Sequence, residues 1–131
     1  MPEVGILDTS VVIDLARIDQ DLLPDQSAIT SVTLAELAAG PHAAGDPLER
    51  SSRQERLQWA EATFDAISFD TDAARAYGRM YALVRVAGRQ PRRRLADLMI
   101  ASIASAHQLP LYTRNPADFA GLEPVVSLRV V

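Results

Sequence analysis

Val4-Gly5-Ile6-Leu7 runs directly into Asp8-Thr9-Ser10, and a second apolar run starts at Val11. A short, continuous apolar stretch reads as a strand buried on both faces, and such strands belong to parallel sheets. A parallel sheet brings the chain back to the same edge after every strand. Residues that follow strands therefore collect along that edge, where open α/β sheets bind their ligands. Asp8 sits at the tip of the first strand. Taken alone, it reads as a turn former or helix cap; a chemical role requires further carboxylates at matching positions.

The remaining chain supplies the other elements of such a sheet. Ser10 to Ala16 reads as a short helix with Ser10 near its N-cap, and residues 19–25 read as loop. Ser27-Ala28-Ile29-Thr30 is the next strand, followed by a helix over Ser31–Gly40 that Gly40-Pro41 is expected to stop. Within it, Thr33-x-x-Glu36 fits a capping box, in which the glutamate folds back onto its own helix. That role would account for Glu36, yet it also puts a carboxylate in the first turn of a helix after a strand. Leu48–Phe64 has the spacing of an amphipathic helix, Ala66–Phe69 that of a strand, and Asp70-Thr71 marks the start of a helix to about Ala87. Gly88–Arg94 reads as loop. Leu95–His107 is apolar nearly all round and should be a buried helix, with His107 at its C-terminal dipole. Leu109–Tyr112 and Val125–Leu128 complete the strands.

Asp97 is the one acidic residue of that buried helix and lies in its first turn. It suits the helix dipole or an arginine partner, but a charge so close to a buried helix costs free energy unless a cation balances it. Asp118 follows the Leu109–Tyr112 strand, beyond the turn at Asn115-Pro116. Asp8, Glu36, Asp97 and Asp118 thus each follow a strand or open the helix after one. Four bare carboxylates on one edge would raise one another's pKa, and the usual resolution is a hard divalent cation held by oxygen. Mg²⁺ suits such a site and Mn²⁺ is a plausible substitute.

Composition narrows the chemistry further. With 131 residues the chain fits a single domain with a real core. It has no cysteine, which excludes disulfides and thiolate chemistry, and its two histidines are far apart, which leaves little for a histidine metal site. No signal segment leads the chain and no apolar run reaches the length of a membrane span, so the cytoplasm is the expected compartment, with no membrane partner. The net charge of −4 argues against coating nucleic acid by bulk attraction. Its distribution says more. All cations are arginines, and Arg89, Arg92, Arg93 and Arg94 fall within six positions. That cluster suits local phosphate binding, a solvated loop or an acidic partner equally.

The stretches Leu7-Asp8-Thr9-Ser10-Val11-Val12-Ile13, Thr33-Leu34-Ala35-Glu36-Leu37, Leu95-Ala96-Asp97-Leu98-Met99-Ile100-Ala101 and Thr113-Arg114-Asn115-Pro116-Ala117-Asp118-Phe119 resemble, in order and spacing, the PIN-domain ribonucleases, and among them the VapC-type toxins of VapBC toxin–antitoxin pairs. The resemblance spans nearly the whole chain and implies one PIN domain over residues 1–131. Serine at position 10 replaces the asparagine of many members and keeps a hydrogen-bonding group there. The resemblance implies a three-layer α/β/α sandwich around a central, mostly parallel sheet of about five strands. It also implies Mg²⁺-dependent endonucleolytic cleavage of structured RNA, of the tRNA or rRNA class, by metal-activated water attack on a phosphodiester. Carried over by position, Asp8, Glu36, Asp97 and Asp118 would hold the metal, Thr113 and Asn115 would orient the last of these carboxylates, and Ser10 would support the site from behind the metal-binding groups. Arg92, Arg93 and Arg94, just before Asp97, and Arg114 would meet the RNA backbone. A VapB-type antitoxin is the implied partner, blocking the site and contacting operator DNA on the toxin's behalf. A homodimer within that hetero-oligomer is implied too, with the helices over Leu48–Phe64 and Thr71–Ala87 as candidate surfaces.

Other carboxylate-edge proteins fit less well. A receiver domain needs a lysine, which this chain lacks, and a haloacid-dehalogenase-type phosphatase needs a second aspartate where Ser10 stands. A catalytically silent PIN-like module that binds RNA or protein, and a PIN nuclease of general RNA processing, remain as alternatives.

Overall fold

The computed structural model describes residues 2–131. Five strands, β1 (Val4–Leu7), β2 (Gln26–Thr30), β3 (Ala66–Ile67), β4 (Leu111–Thr113) and β5 (Leu128–Val130), form one sheet in the order β3-β2-β1-β4-β5. Every neighbouring pair is parallel. The helices are α1 (Thr9–Ile13), α2 (Ser31–Ala43), α3 (Pro47–Thr63), α4 (Thr71–Val86) and α5 (Leu95–His107). Among the described residues no helix is long and apolar enough to cross a membrane.

The pleat of β1 explains the layers. Successive side chains of a strand point to opposite faces. Ile6 goes to one side with Leu111, packed among Met80 and Val84 of α4 and Leu98, Ile100 and Ala101 of α5. Leu7 goes to the other with Ile29 and Tyr112, against Val11 and Val12 of α1, Leu37 of α2 and Ala60 of α3. Each face of the sheet carries its own apolar cluster, which is the three-layer α/β/α arrangement expected from the sequence. Gly5 is required by this packing: a Cβ there would run into the ring of Tyr112.

β1 is the centre of the sheet, and it is also where the strand order turns. The chain leaves β1 towards β2 and β3, then returns to lay β4 on the opposite side of β1. Such a switch opens a crevice at the carboxyl ends of the two strands that part. Here the crevice lies beyond Leu7 and Thr113.

Several local expectations are corrected. Asp8, not Ser10, caps α1, its carboxylate accepting the Thr9 N–H, and the helix gives way to a 3₁₀ turn at Leu15–Arg17. Residues 20–22 also form a 3₁₀ turn within the expected loop. The helix over Ser31–Gly40 does not stop at Gly40-Pro41; α2 runs on to Ala43 with Pro41 buried inside it. A proline near a helix end removes one hydrogen bond whose loss its packing offsets, and the Gly40 carbonyl accepts from Nη1 of Arg53 at 2.9 Å. The strand expected over Ala66–Phe69 shrinks to Ala66–Ile67, and the last strand lies at Leu128–Val130 instead of Val125–Leu128. Pairing with β4 sets that register, which places Leu111 opposite Leu128.

Candidate active site

Asp8 leaves β1 at the switch point and is only 4% exposed. Its carboxylate is fully engaged. Oδ1 accepts the Thr9 N–H at 2.8 Å, and Oδ2 accepts the hydroxyls of Ser10 and Thr113, each at 2.9 Å. The Thr113 bond spans the crevice from the tip of β4. Burial pushes the Asp8 carboxyl up; the donors from Ser10, Thr113 and Thr9 oppose that rise, and the charge of Asp118 adds to it. Asp8 is thus both the cap of α1 and a carboxylate fixed at the sheet edge.

Glu36 reaches the same edge from α2. The N-cap of that helix is Thr30, whose hydroxyl accepts the Thr33 N–H at 3.1 Å. The capping box expected at Thr33-x-x-Glu36 therefore does not form, and Glu36 stands in the second turn. Its Oε1 accepts the hydroxyl of Thr9 at 2.7 Å, and Thr9 also lies 2.9 Å from the Thr33 hydroxyl. Thr9 links the segment after β1 to α2. The sequence carried one signal for this, a hydroxyl beside the strand-end aspartate, but nothing that told which helix it would meet.

Asp97 lies in the first turn of α5, half-buried, where the helix dipole favours negative charge. Its carboxyl is nevertheless pushed up to about 7. Burial is the first cause; the charges of Asp118, Asp8 and Glu36 follow, and Arg94 pulls the other way. Three separate carboxylates thus raise the same group, so the four expected acidic residues form one electrostatic site.

Asp118 rides on a 3₁₀ turn, Pro116–Phe119, just past β4, and forms an ion pair with Arg94. Ser10 donates to Asp8 and accepts the Arg114 N–H at 3.3 Å, while the Asn115 N–H donates to Thr113 Oγ1 at 3.0 Å. Ser10 and Thr113 both donate to Asp8, so Thr113 orients the first carboxylate and not, as expected, Asp118, because β4 lies directly beside β1. Asn115 braces Thr113 through its backbone, and its side chain is exposed.

The arginines divide into three kinds. Arg92 and Arg93 are exposed on the 3₁₀ turn before α5. Arg94 turns inward to Asp118. Arg114 lies against Asp14, its Nε 3.8 Å from Oδ2, with its Nη1 buried and unpartnered.

The donor set suits a hard cation in kind, because every donor is a carboxylate and their mutual repulsion is what a divalent ion relieves. Among the described residues, no three acidic or histidine side chains are drawn together into a closed metal cage. Glu36 is engaged by the Thr9 hydroxyl and Asp118 by the Arg94 guanidinium.

Residues 6–122 match the family described as PIN domain. The chain is 38% identical over 133 residues to Ribonuclease VapC5 of Mycobacterium tuberculosis, covering 99% of this chain and 96% of that protein. A crystal structure of VapBC-5, a member of the VapBC family of toxin–antitoxin systems from Mycobacterium tuberculosis, superposes with a TM-score of 0.84 at 38% identity, over 99% of this chain and 98% of that one. The structure of VapBC2 from Rickettsia felis bound to a promoter DNA fragment shares the fold, with a TM-score of 0.77 at 23% identity over 98% of each chain.

Proposed function

The chain belongs to the PIN-domain family, and from that premise we propose that it is the ribonuclease toxin of a toxin–antitoxin pair, a Mg²⁺-dependent endonuclease acting on structured RNA. One observation carries the reading: Asp8, Glu36, Asp97 and Asp118 all come to the switch-point edge of a parallel sheet, where the charges of the other three add to burial in raising Asp97. The relative's printed name supplies the reaction class, a ribonuclease.

Asp8, Glu36, Asp97 and Asp118 would hold the ion. When bound, Mg²⁺ supplies a water of lowered pKa and neutralises charge developing on the phosphate. The protein's own groups set the stage for this. Ser10, Thr113 and the Thr9 N–H fix both oxygens of Asp8, so that carboxylate is positioned before substrate arrives. The Thr9 hydroxyl orients Glu36. Arg94 pairs with Asp118 and keeps a guanidinium beside the carboxylate edge, where it would meet a phosphate. Arg92 and Arg93 project from the same turn and meet the RNA backbone. Arg114, tied to Asp14, contributes less. Hydrolysis at the P–O3′ bond leaves a 5′-phosphate and a 3′-hydroxyl. No histidine stands at this edge to run metal-free chemistry through a cyclic phosphate.

The relative of solved structure is a toxin–antitoxin pair. By that analogy, a VapB-type antitoxin covers the site here, operator DNA is met only through it, and two copies of this chain join in the assembly. The test is cleavage of total cellular RNA by the purified chain in Mg²⁺ or Mn²⁺, in EDTA, and with Asp97→Asn. Discrete cuts bearing 5′-phosphates, lost in EDTA and with Asp97→Asn, are expected. Cuts that survive both changes would show that the carboxylate edge is not the catalytic site.

A further inference from the structure

A concavity of about 470 Å³ lies where the C-terminal end of α4 meets the turn before α5. Its lining includes Tyr81, Arg85, Arg89 and Arg92, and all of its charged residues are arginines. In a chain of net charge −4, that is a local reversal of sign.

The backbone explains why these side chains meet. Tyr81 and Arg85 are four residues apart on α4 and so share one face of the helix. The helix ends in a Schellman motif: the Arg89 N–H donates to Val84 O at 3.0 Å and the Gly88 N–H to Arg85 O at 2.9 Å. Gly88 takes φ +78, the left-handed conformation that this motif needs. The chain is thereby folded back, and Arg89 swings under the helix end. Its Nη1 donates to the carbonyl of Ala117 at 2.7 Å, tying the wall of the concavity to the turn that carries Asp118. Pro91 then starts the 3₁₀ turn that presents Arg92. The Tyr81 ring is 37% exposed and rests on Tyr77, with centroids 6.3 Å apart. A solvent-facing aromatic ring and three arginines thus line one concavity.

Attraction to the helix C-terminal dipole would account for Arg85 alone. It does not account for Tyr81, or for Arg92 on a separate element. Resting on the ribonuclease reading above, we propose that this concavity is a binding subsite for one or two single-stranded RNA nucleotides flanking the scissile phosphate. Arg85 and Arg92 take backbone phosphates and the Tyr81 face stacks a base. Arg89 holds the subsite at a fixed distance from Asp118. Specificity of the enzyme is then set partly by which base tolerates Tyr81.

The test is fluorescence anisotropy with a 5′-fluorescein 12-nucleotide single-stranded RNA in EDTA, where cleavage is silent, over a range of salt. The variants are Arg85→Gln with Arg92→Gln, Tyr81→Leu and Tyr81→Phe. Arg75→Gln, at the far end of α4 and paired with Asp72, is the control. Arg89 is left intact because it braces the Asp118 turn. The double arginine variant should bind about tenfold more weakly or worse, with a log–log salt slope reduced by roughly 1.4 for two lost single-strand phosphate contacts. Tyr81→Leu should weaken binding about tenfold, and Tyr81→Phe should retain it. Wild-type affinity and slope in the double variant, or wild-type affinity in Tyr81→Leu, would overturn the proposal. So would binding of poly-glutamate with none of RNA, which would assign the patch to an acidic protein segment. Cleavage in Mg²⁺ is measured in parallel. Tight RNA binding without cleavage sinks the ribonuclease reading and leaves the subsite standing; cleavage with an unchanged KM in the double variant does the reverse.

Discussion

Asp97 is the residue at which the site's tension is concentrated. Its folded pKa of about 7 lies above its unfolded value of 3.8, so between those limits the folded chain binds more protons than the unfolded one. Stability therefore falls as pH rises from about 4 towards 7, and Asp8, also raised, acts with the same sign. Because Asp97 is only half-buried, solvent screening limits its share to ~1–2 kcal/mol. Asp97→Asn should raise the melting temperature of the metal-free protein at pH 8 but not at pH 4, read by thermal melts in EDTA. Equal gains at both pH values would mean that charge repulsion is not the cause. Thr113→Val removes the hydroxyl that holds Asp8 across the crevice. Activity should fall roughly 10–100-fold in a protein that still folds, as measured by RNA cleavage alongside circular dichroism. Gly5→Ala has no room against the Tyr112 ring and should cost roughly 1–3 kcal/mol, checked by urea denaturation.

At the scale of the element, α2 separates stability from chemistry. Thr30 caps it, so Thr30→Ala should cost about 1 kcal/mol in urea denaturation. Glu36 caps nothing. Glu36→Gln should change stability by less than about 0.5 kcal/mol and still abolish cleavage; a loss of stability near that of Thr30→Ala would restore the capping role. The capping box was one of two roles open to Glu36; it does not form because the helix is capped one turn earlier, by Thr30 at the strand's end, whose hydroxyl takes the Thr33 N–H. Periodicity was a better guide for α4 and α5, whose apolar faces the sheet buries as expected. It was poor for β3 and β5, which are two and three residues long and whose register comes from a neighbouring strand. The four carboxylates were legible because strand ends in a parallel sheet are forced to one edge. Their partners were not: the ion pair of Arg94 with Asp118 and the bond from Thr9 to Glu36 join residues 24 and 27 positions apart.

In the whole molecule, β1 is the strand on which both halves depend. The N–H groups of Ile6 and Asp8 donate to the carbonyls of Pro110 and Tyr112, each at 2.9 Å, at the centre of the sheet. These amides should exchange with solvent only through global unfolding, and hydrogen exchange that is faster there than in α4 would argue against a single cooperative unit. The pairing of β1 with β4 also joins residues about a hundred positions apart, a contact order that slows folding. That delay has a meaning during synthesis. A ribosome extends a chain at ~5–20 residues per second and releases it amino end first. Asp8 and Glu36 emerge early, but the strand that locks Asp8 in place and the turn that carries Asp118 come long after. No nascent fragment that lacks them holds the assembled centre. If the chain is the RNA-cutting enzyme proposed above, the machine translating it is spared until β4 and the turn that carries Asp118 have both emerged and folded.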